Sequence, residues 1–430
     1  MRGCFLLLLT VSACYSQIPT VITKYGPIQG TTYIVQEQQK VYEFLGVPFA
    51  EPPLGNLRFE KPQTPRPWTT PYNATSYPLA CVQCVKPSWA ISEDCLRLNI
   101  WTPSLTGQQL PVVVYIHGGA YQSGTGQQNA KAIREVYAVS GIVFISIQYR
   151  LGWMGNSKQV TIWGTSAGSS SVGQHTISPK SRGLFSQAYE QSGSPIAAFA
   201  RGPFVIQATR TVLLKLGCPT QGDIKKCLQS KTIDQFYAVT GKCLPNDVDI
   251  VEYSPLFDGD FFTEDVEAAI KSSPALPTLV GLNQVEGRLF VLSNLFAFSI
   301  PAAEYQYMTA DALYDLIETW ISNRGYSGEA ESAAKTIYNF YSQGYTNSSD
   351  HKFWVEQYVK LWTDTFFNAP AMREAIAKTN ARHFLKYNFS FRQMQRFTPI
   401  VLIITTKQPG QWIALVKAQL TYLKCHIALD

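Results

Sequence analysis

Gly164-Thr165-Ser166-Ala167-Gly168 has the pattern Gly-x-Ser-x-Gly and follows directly on the apolar run Val160-Thr161-Ile162-Trp163. A strand ending there sets Ser166 on a sharp turn, where small neighbours let the backbone pass close before a helix begins; this is what a nucleophilic serine needs. Taken alone, the pentapeptide also fits a Gly/Ser-rich loop. Upstream, at the end of another apolar run, stands Tyr115-Ile116-His117-Gly118-Gly119-Ala120-Tyr121. Consecutive glycines let main-chain N–H groups face a reacting oxygen with no side chain in the way, so Gly118, Gly119 and the amide of Ala167 are the candidate oxyanion donors. A plain tight turn is the other reading of the glycine pair. A third element, Pro277 to Phe290, reads as a short strand followed by a loop carrying Glu286. That glutamate occupies the slot for an acid that orients an imidazole, in the chain order Ser, acid, His.

The base is harder to place. A serine hydroxyl is a poor nucleophile at neutral pH unless an imidazole takes its proton and later passes it to the leaving group. The chain has five histidines. His117 belongs to the glycine loop, His175 follows the serine motif, His351 opens a helical stretch, and His383 lies in the strand-like run Arg382 to Phe389. Only His426 falls beyond Asn388, where the base belongs. Its surroundings, Tyr422 to Asp430, read as a tail histidine without a role. Either His426 or no residue acts as the base.

The elements that must hold these residues read as an α/β chain. Leu110–Gly119 and Gly141–Arg150 are continuous apolar runs, which suit parallel strands buried on both faces. The stretch from Ile18 to Pro71 is rich in Gly, Pro and short β-type runs, a pattern of hairpins and turns. Helical periodicity dominates around residues 204–217, 311–323, 329–342 and 351–379. No internal repeat or long linker divides the chain. About eight residues separate the run ending at Arg150 from the one beginning near Gln159, whereas a crossover between parallel strands takes a dozen or more, usually as a helix. An internal block is therefore expected to be missing near Gly155. Residues 391–429 contain no Asp or Glu but five Lys/Arg. The expected organisation is a leader at 1–16, one domain at 17–390 and a divergent tail at 391–430.

Bulk properties exclude several classes. The chain has 430 residues, 46% hydrophobic and 15% charged, with a formal net charge of +6 and no basic cluster interleaved with aromatics, which argues against a nucleic-acid partner. Arg2, the apolar run Cys4–Val11 and the small residues Cys14 and Ser16 read as a secretory signal peptide. The run is far short of the roughly 20 residues that span a bilayer, and no other segment reaches that length. Nine cysteines less Cys4 and Cys14 leave seven. In an oxidising compartment they are expected to form disulfides with at least one thiol left over. Cys81 and Cys84 have the spacing of half a zinc site, but no second pair stands at the usual distance, so no metal is expected. Asn73, Asn347 and Asn388 lie in glycosylation triplets. A secreted or secretory-lumen location follows.

Longer matches accompany these motifs. Phe44 to Trp68 (FLGVPFAEPPLGNLRFEKPQTPRPW), Ser92 to Pro103 (SEDCLRLNIWTP), GTSAG and Tyr189 to Pro195 (YEQSGSP) resemble the type-B carboxylesterase/cholinesterase family of α/β-hydrolases, and the resemblance extends over most of the chain. It implies a central, mostly parallel sheet flanked by helices. It also implies Ser166 as nucleophile, Glu286 as triad acid, Gly118, Gly119 and Ala167 as oxyanion hole, and disulfides Cys81–Cys95 and Cys218–Cys227. The implied reaction is hydrolysis of a small carboxylic ester through an acyl-enzyme, with no cofactor. Two rivals are a non-catalytic adhesion module of the same fold and a truncated, inactive product. The oligomeric state is not legible. Arg97 and Ala120 depart from the family pattern, and Trp153-Met154-Gly155 stands where the family has a long loop, a helix and a Phe-Gly-Gly. The short loop between Cys81 and Cys95 argues against a cholinesterase specialisation, and its Trp89 is expected to pack rather than to stack on a cation.

Overall fold

The computed structural model describes residues 18–84, 86–106, 110–151, 161–202, 205–240, 253–256, 258–274, 276–292, 298–323, 330–380, 387–389 and 400–405. The expected hairpins begin it, as β1 (Thr20–Ile22), β2 (Pro27–Gln29), β3 (Thr31–Ile34) and β4 (Lys40–Pro48). Three two-residue strands follow: β5 (Tyr72–Asn73), β6 (Ala80–Cys81) and β7 (Ile91–Ser92). The long runs are β8 (Arg97–Thr102), β9 (Val112–Ile116), β10 (Val143–Ile147), β11 (Thr161–Thr165), β12 (Ala188–Gln191) and β13 (Thr278–Asn283), with β14 (Tyr387–Phe389) and β15 (Ile400–Thr405) last.

Ten of these strands form one sheet, in the order β14-β15-β13-β12-β11-β9-β10-β8-β4-β3. Its centre, β10-β9-β11-β12-β13, is parallel throughout, and antiparallel strands close both sides. With helices on its faces, this is the expected α/β-hydrolase architecture. The sequence pattern explains why the centre is parallel. Val113, Phe144, Trp163, Tyr189 and Leu279 point to one face and pack on Ile133, Val136 and Tyr137. Alternate residues Val114, Ile116, Ile147, Ile162 and Ala188 point to the other face and pack on Val172. Strands apolar on both sides need cover on both sides, which crossover helices supply.

The two runs flanking the short gap, β10 and β11, are parallel but not neighbours, because β9 lies between them. Thirteen residues, 148–160, join them. A chain of that length reaches ~45 Å, ample for the return along one strand and the step across two. What it lacks is the length for a helix as well. Residues 152–160, where the missing block is expected, lie outside the described residues. The stretch 391–430 enters the description through β15, which pairs with β13 at six positions from Thr278↔Thr405 to Asn283↔Ile400. Its β-branched run completes the exposed edge of β13, a role that lack of acidic residues did not suggest.

The helical stretches appear as Val205–Lys215, Ala310–Asn323, Ala330–Ser342 and His351–Thr363. The last continues through a wide turn at Asp364–Asn368 into Ala369–Asn380. Cys81–Cys95 and Cys218–Cys227 are disulfides, so Cys81 is no metal ligand, and Cys84 is a buried thiol outside both bridges. Trp89, expected to pack, is 57% exposed: the short disulfide loop leaves it outside the core.

Candidate active site

Ser166 sits between β11 and the helix Ala167–Ile177 with φ 58° and ψ −123°, a left-handed conformation that costs a non-glycine residue about 1–3 kcal/mol. Its neighbours hold it there. Its N–H donates to the Gln191 carbonyl (2.8 Å), and its carbonyl accepts from the Ser170 N–H (3.0 Å). The flanking glycines have no substitute: a Cβ on Gly164 would lie 2.1 Å from the Gly168 carbonyl group, and one on Gly168 would lie 2.2 Å from the Ile116 oxygen. The backbone thus passes too close to itself for any side chain, and the Gly/Ser-rich loop reading gives way to a strand-turn-helix.

The glycine loop after β9 lies against this turn. A Cβ on Gly118 would be 3.1 Å from the Ser166 Cβ and 2.7 Å from the Thr165 oxygen. Gly119 has φ 118°, and its carbonyl accepts from the N–H groups of Gln122 and Ser123, both at 2.9 Å. Ala120 and Tyr121 are also left-handed, at φ 53° and 59°, a strain that the residue types did not reveal. Among the described residues, the N–H groups of Gly118 and Gly119 have no acceptor. They are free donors beside the serine.

Glu286 follows β13, half-buried, at the start of the short helix Gly287–Leu292. Asn283 holds it by donating its backbone N–H (2.7 Å) and its side-chain amide (3.2 Å) to the carboxylate. The same amide reaches Ser192 Oγ (3.3 Å), and Ser192 is itself left-handed at φ 57°. Sequence reading missed Asn283 and Ser192; the signal available was an amide three residues before a loop carboxylate. Gly118, Ser166, Ser192 and Glu286 each follow a parallel strand, so all lie at the carboxyl edge of the sheet, where α/β folds place their ligand crevice.

The described histidines make their contacts away from Ser166 and Glu286. Burial pulls the His117 pKa down to about 4, although its contact with the Gly118 carbonyl (2.7 Å) works the other way. Its ring stacks on Tyr149 at 4.4 Å. His175 Nδ1 meets Ser181 Oγ at 2.9 Å, and His351 Nδ1 meets the Met308 carbonyl at 3.0 Å. Among the described residues, no imidazole is hydrogen-bonded to Ser166 or Glu286. His383 and His426 lie outside them. No three His, Cys, Asp or Glu side chains gather as a metal site among the described residues.

The profile of the Carboxylesterase family matches residues 17–156 and 153–419. The chain belongs to that family. Carboxylesterase relatives include gut esterase 1 of Caenorhabditis briggsae, 32% identical over 429 aligned positions covering 89% of this chain and 75% of that protein. Gut esterase 1 of Caenorhabditis elegans is also 32% identical, with the same coverage. The acetylcholinesterase of Bungarus fasciatus is 33% identical over 68% of this chain and 58% of its own length. As a member of the carboxylesterase family, the chain has the architecture of a family of carboxylic ester hydrolases. Among the described residues, no helix is long and apolar enough to cross a membrane.

Proposed function

We propose that Ser166 is the nucleophile of a serine carboxylesterase acting on small carboxylic esters. The observation that carries this reading is the serine's left-handed turn beside the unpaired amides of Gly118 and Gly119. The Ser166 oxygen attacks the ester carbonyl carbon, and the resulting oxyanion accepts from the N–H groups of Gly118, Gly119 and Ala167. Collapse of the tetrahedral intermediate expels the alcohol and leaves an acyl-serine, which water cleaves to release the acid and restore the hydroxyl. Glu286, steadied by Asn283, is the triad acid.

Slow turnover is part of this reading, since among the described residues no imidazole joins Ser166 to Glu286 and His426, the one histidine beyond Asn388, reads as a tail residue without a role. Oxyanion donors and binding alone leave on the order of 10³ to 10⁴ over the uncatalysed rate in triad knockouts. The family match in two segments meeting at 153–156 supports an internal block missing beside the nucleophile. Secretion, with a leader at 1–16, is supported by the two disulfides; glycosylation is supported by the exposure of Asn73 and Asn347. Asn388 lies in β14.

An organophosphonate labelling experiment, with mass spectrometry and p-nitrophenyl acetate turnover, tests the proposal. One equivalent of label on Ser166, absent from Ser166→Ala, is the expected result. A cooperatively folded chain that takes no label refutes it and favours a binding module.

A further inference from the structure

Beside the strand-turn-helix, but not including Ser166, a cavity of about 270 Å³ is lined by Arg150, Tyr121, Tyr149, Tyr253, Phe261 and Phe262, with Gln174 and Asp258 at its polar side. Arg150 is the group that lacks an explanation. It is 5% exposed, its Nε is fully buried without an acceptor, and no carboxylate lies within ion-pair distance among the described residues. A buried guanidinium with no partner is strongly disfavoured, since its lost hydration is not replaced. Burial pulls its pKa below the usual value, with no neighbouring charge acting the other way.

Among the described residues, no other group of the cavity wall is bonded to Arg150. Asp258 Oδ1 is taken up by the N–H groups of Asp260 (3.1 Å), Phe261 (2.8 Å) and Phe262 (3.2 Å). Gln174 donates to the Ala200 carbonyl at 2.8 Å, and Ser171 donates to the Ala167 carbonyl at 3.0 Å. Residues 152–160, which follow directly in the chain, contain neither Asp nor Glu, and Asp247, Asp249 and Glu252, which precede Tyr253 in the chain, lie outside the described residues.

We infer that this cavity is a binding site for a small organic carboxylate, whose anionic end pairs with Arg150 and whose apolar body lies among the Tyr121, Tyr149, Tyr253 and Phe261 rings. A planar guanidinium takes a carboxylate in a two-point hydrogen bond, which a neutral amide cannot reproduce. The volume falls just below the roughly 300–1,000 Å³ of drug-sized pockets, which suits a ligand of one ring or a short chain. The inference does not depend on Ser166 being a nucleophile.

Calorimetric titration of the full chain with sodium benzoate, and with benzamide as the neutral twin, tests it. Benzoate binding that is about tenfold or more tighter than benzamide, and that weakens by about tenfold or more in Arg150→Met, is expected. Arg150→Lys, which keeps the charge but loses the planar fork, falls between the two and serves if the methionine variant does not fold. No heat with benzoate up to ~10 mM, equal binding of benzamide, or unchanged affinity in either variant overturns the inference.

Discussion

Two helices meet the Glu190 face of strand β12, and they are secured by different physics. The helix Ala167–Ile177 is held by main-chain contact: Gly164, Gly168 and Gly173 each leave no room for a Cβ, the last facing Pro195 at 2.3 Å. The helix Ala369–Asn380 is held by buried charge. Lys378, 14% exposed at the side chain, lies 3.1 Å from Glu190 Oε1 and 2.5 Å from Glu374 Oε1, and both carboxylates are fully buried. Burial, and then the nearness of Glu374, raise the Glu190 carboxyl well above the ordinary range. Burial alone would lower the Lys378 pKa, but the two carboxylates outweigh it and raise it. Contact geometry has no tolerance and fixes Ser166 at the start of this helix to a fraction of an ångström. A salt-bridged helix is positioned by flexible side chains, whose energy depends on which partners are present.

Substitutions sharpen this contrast. Gly168→Val drives a side chain into the Ile116 carbonyl, and we expect a loss of about 4 kcal/mol or more, seen as a collapsed urea midpoint or insoluble chain. Lys378→Met leaves two carboxylates buried without their cation; a loss of about 3–5 kcal/mol is expected, and a loss below 1 kcal/mol means the clamp contributes nothing.

The glycine loop adds a pH signature. His117 has a folded pKa of about 4 against an ordinary 6.5, so the unfolded chain binds more protons between these values. Stability from this group is complete above pH 6.5 and is lost as pH falls towards 4, by on the order of 3 kcal/mol. Urea titrations across that window measure the slope, which His117→Gln flattens. The smallest effect is expected at Glu286. Since no described imidazole is hydrogen-bonded to it, Glu286→Gln is expected to change the rate of Ser166 labelling by less than about threefold, whereas an intact triad loses on the order of 10⁴. A large loss reveals a base outside the described residues.

Legibility followed the same division. The parallel centre was readable because Val112–Ile116 and, apart from Ser146, Val143–Ile147 are apolar throughout, and that pattern has few uses other than a strand covered on both sides. Ser166 was readable because its glycines are a steric necessity that composition records directly. Ala120 and Tyr121 were not, since nothing in an alanine or a tyrosine announces a left-handed backbone. Nor could the pairing of β15 with β13, or β9 lying between β10 and β11, be read from local runs, because strand order is a property of the assembled sheet.

Residue types and spacing by themselves pointed to a candidate nucleophile, its candidate oxyanion donors, an acid slot and an α/β fold, and the resemblance to a family added two disulfide pairs, because each is written in short-range sterics or in a family-wide pattern. The tertiary structure decided which charges are paired. It joined Glu190 and Glu374 through Lys378, gave Glu286 to Asn283, and left the Arg150 Nε buried beside a cavity with no acceptor among the described residues. Charge pairing depends on the distance between residues far apart in the chain and on the water removed around them, and neither quantity exists until the chain has folded.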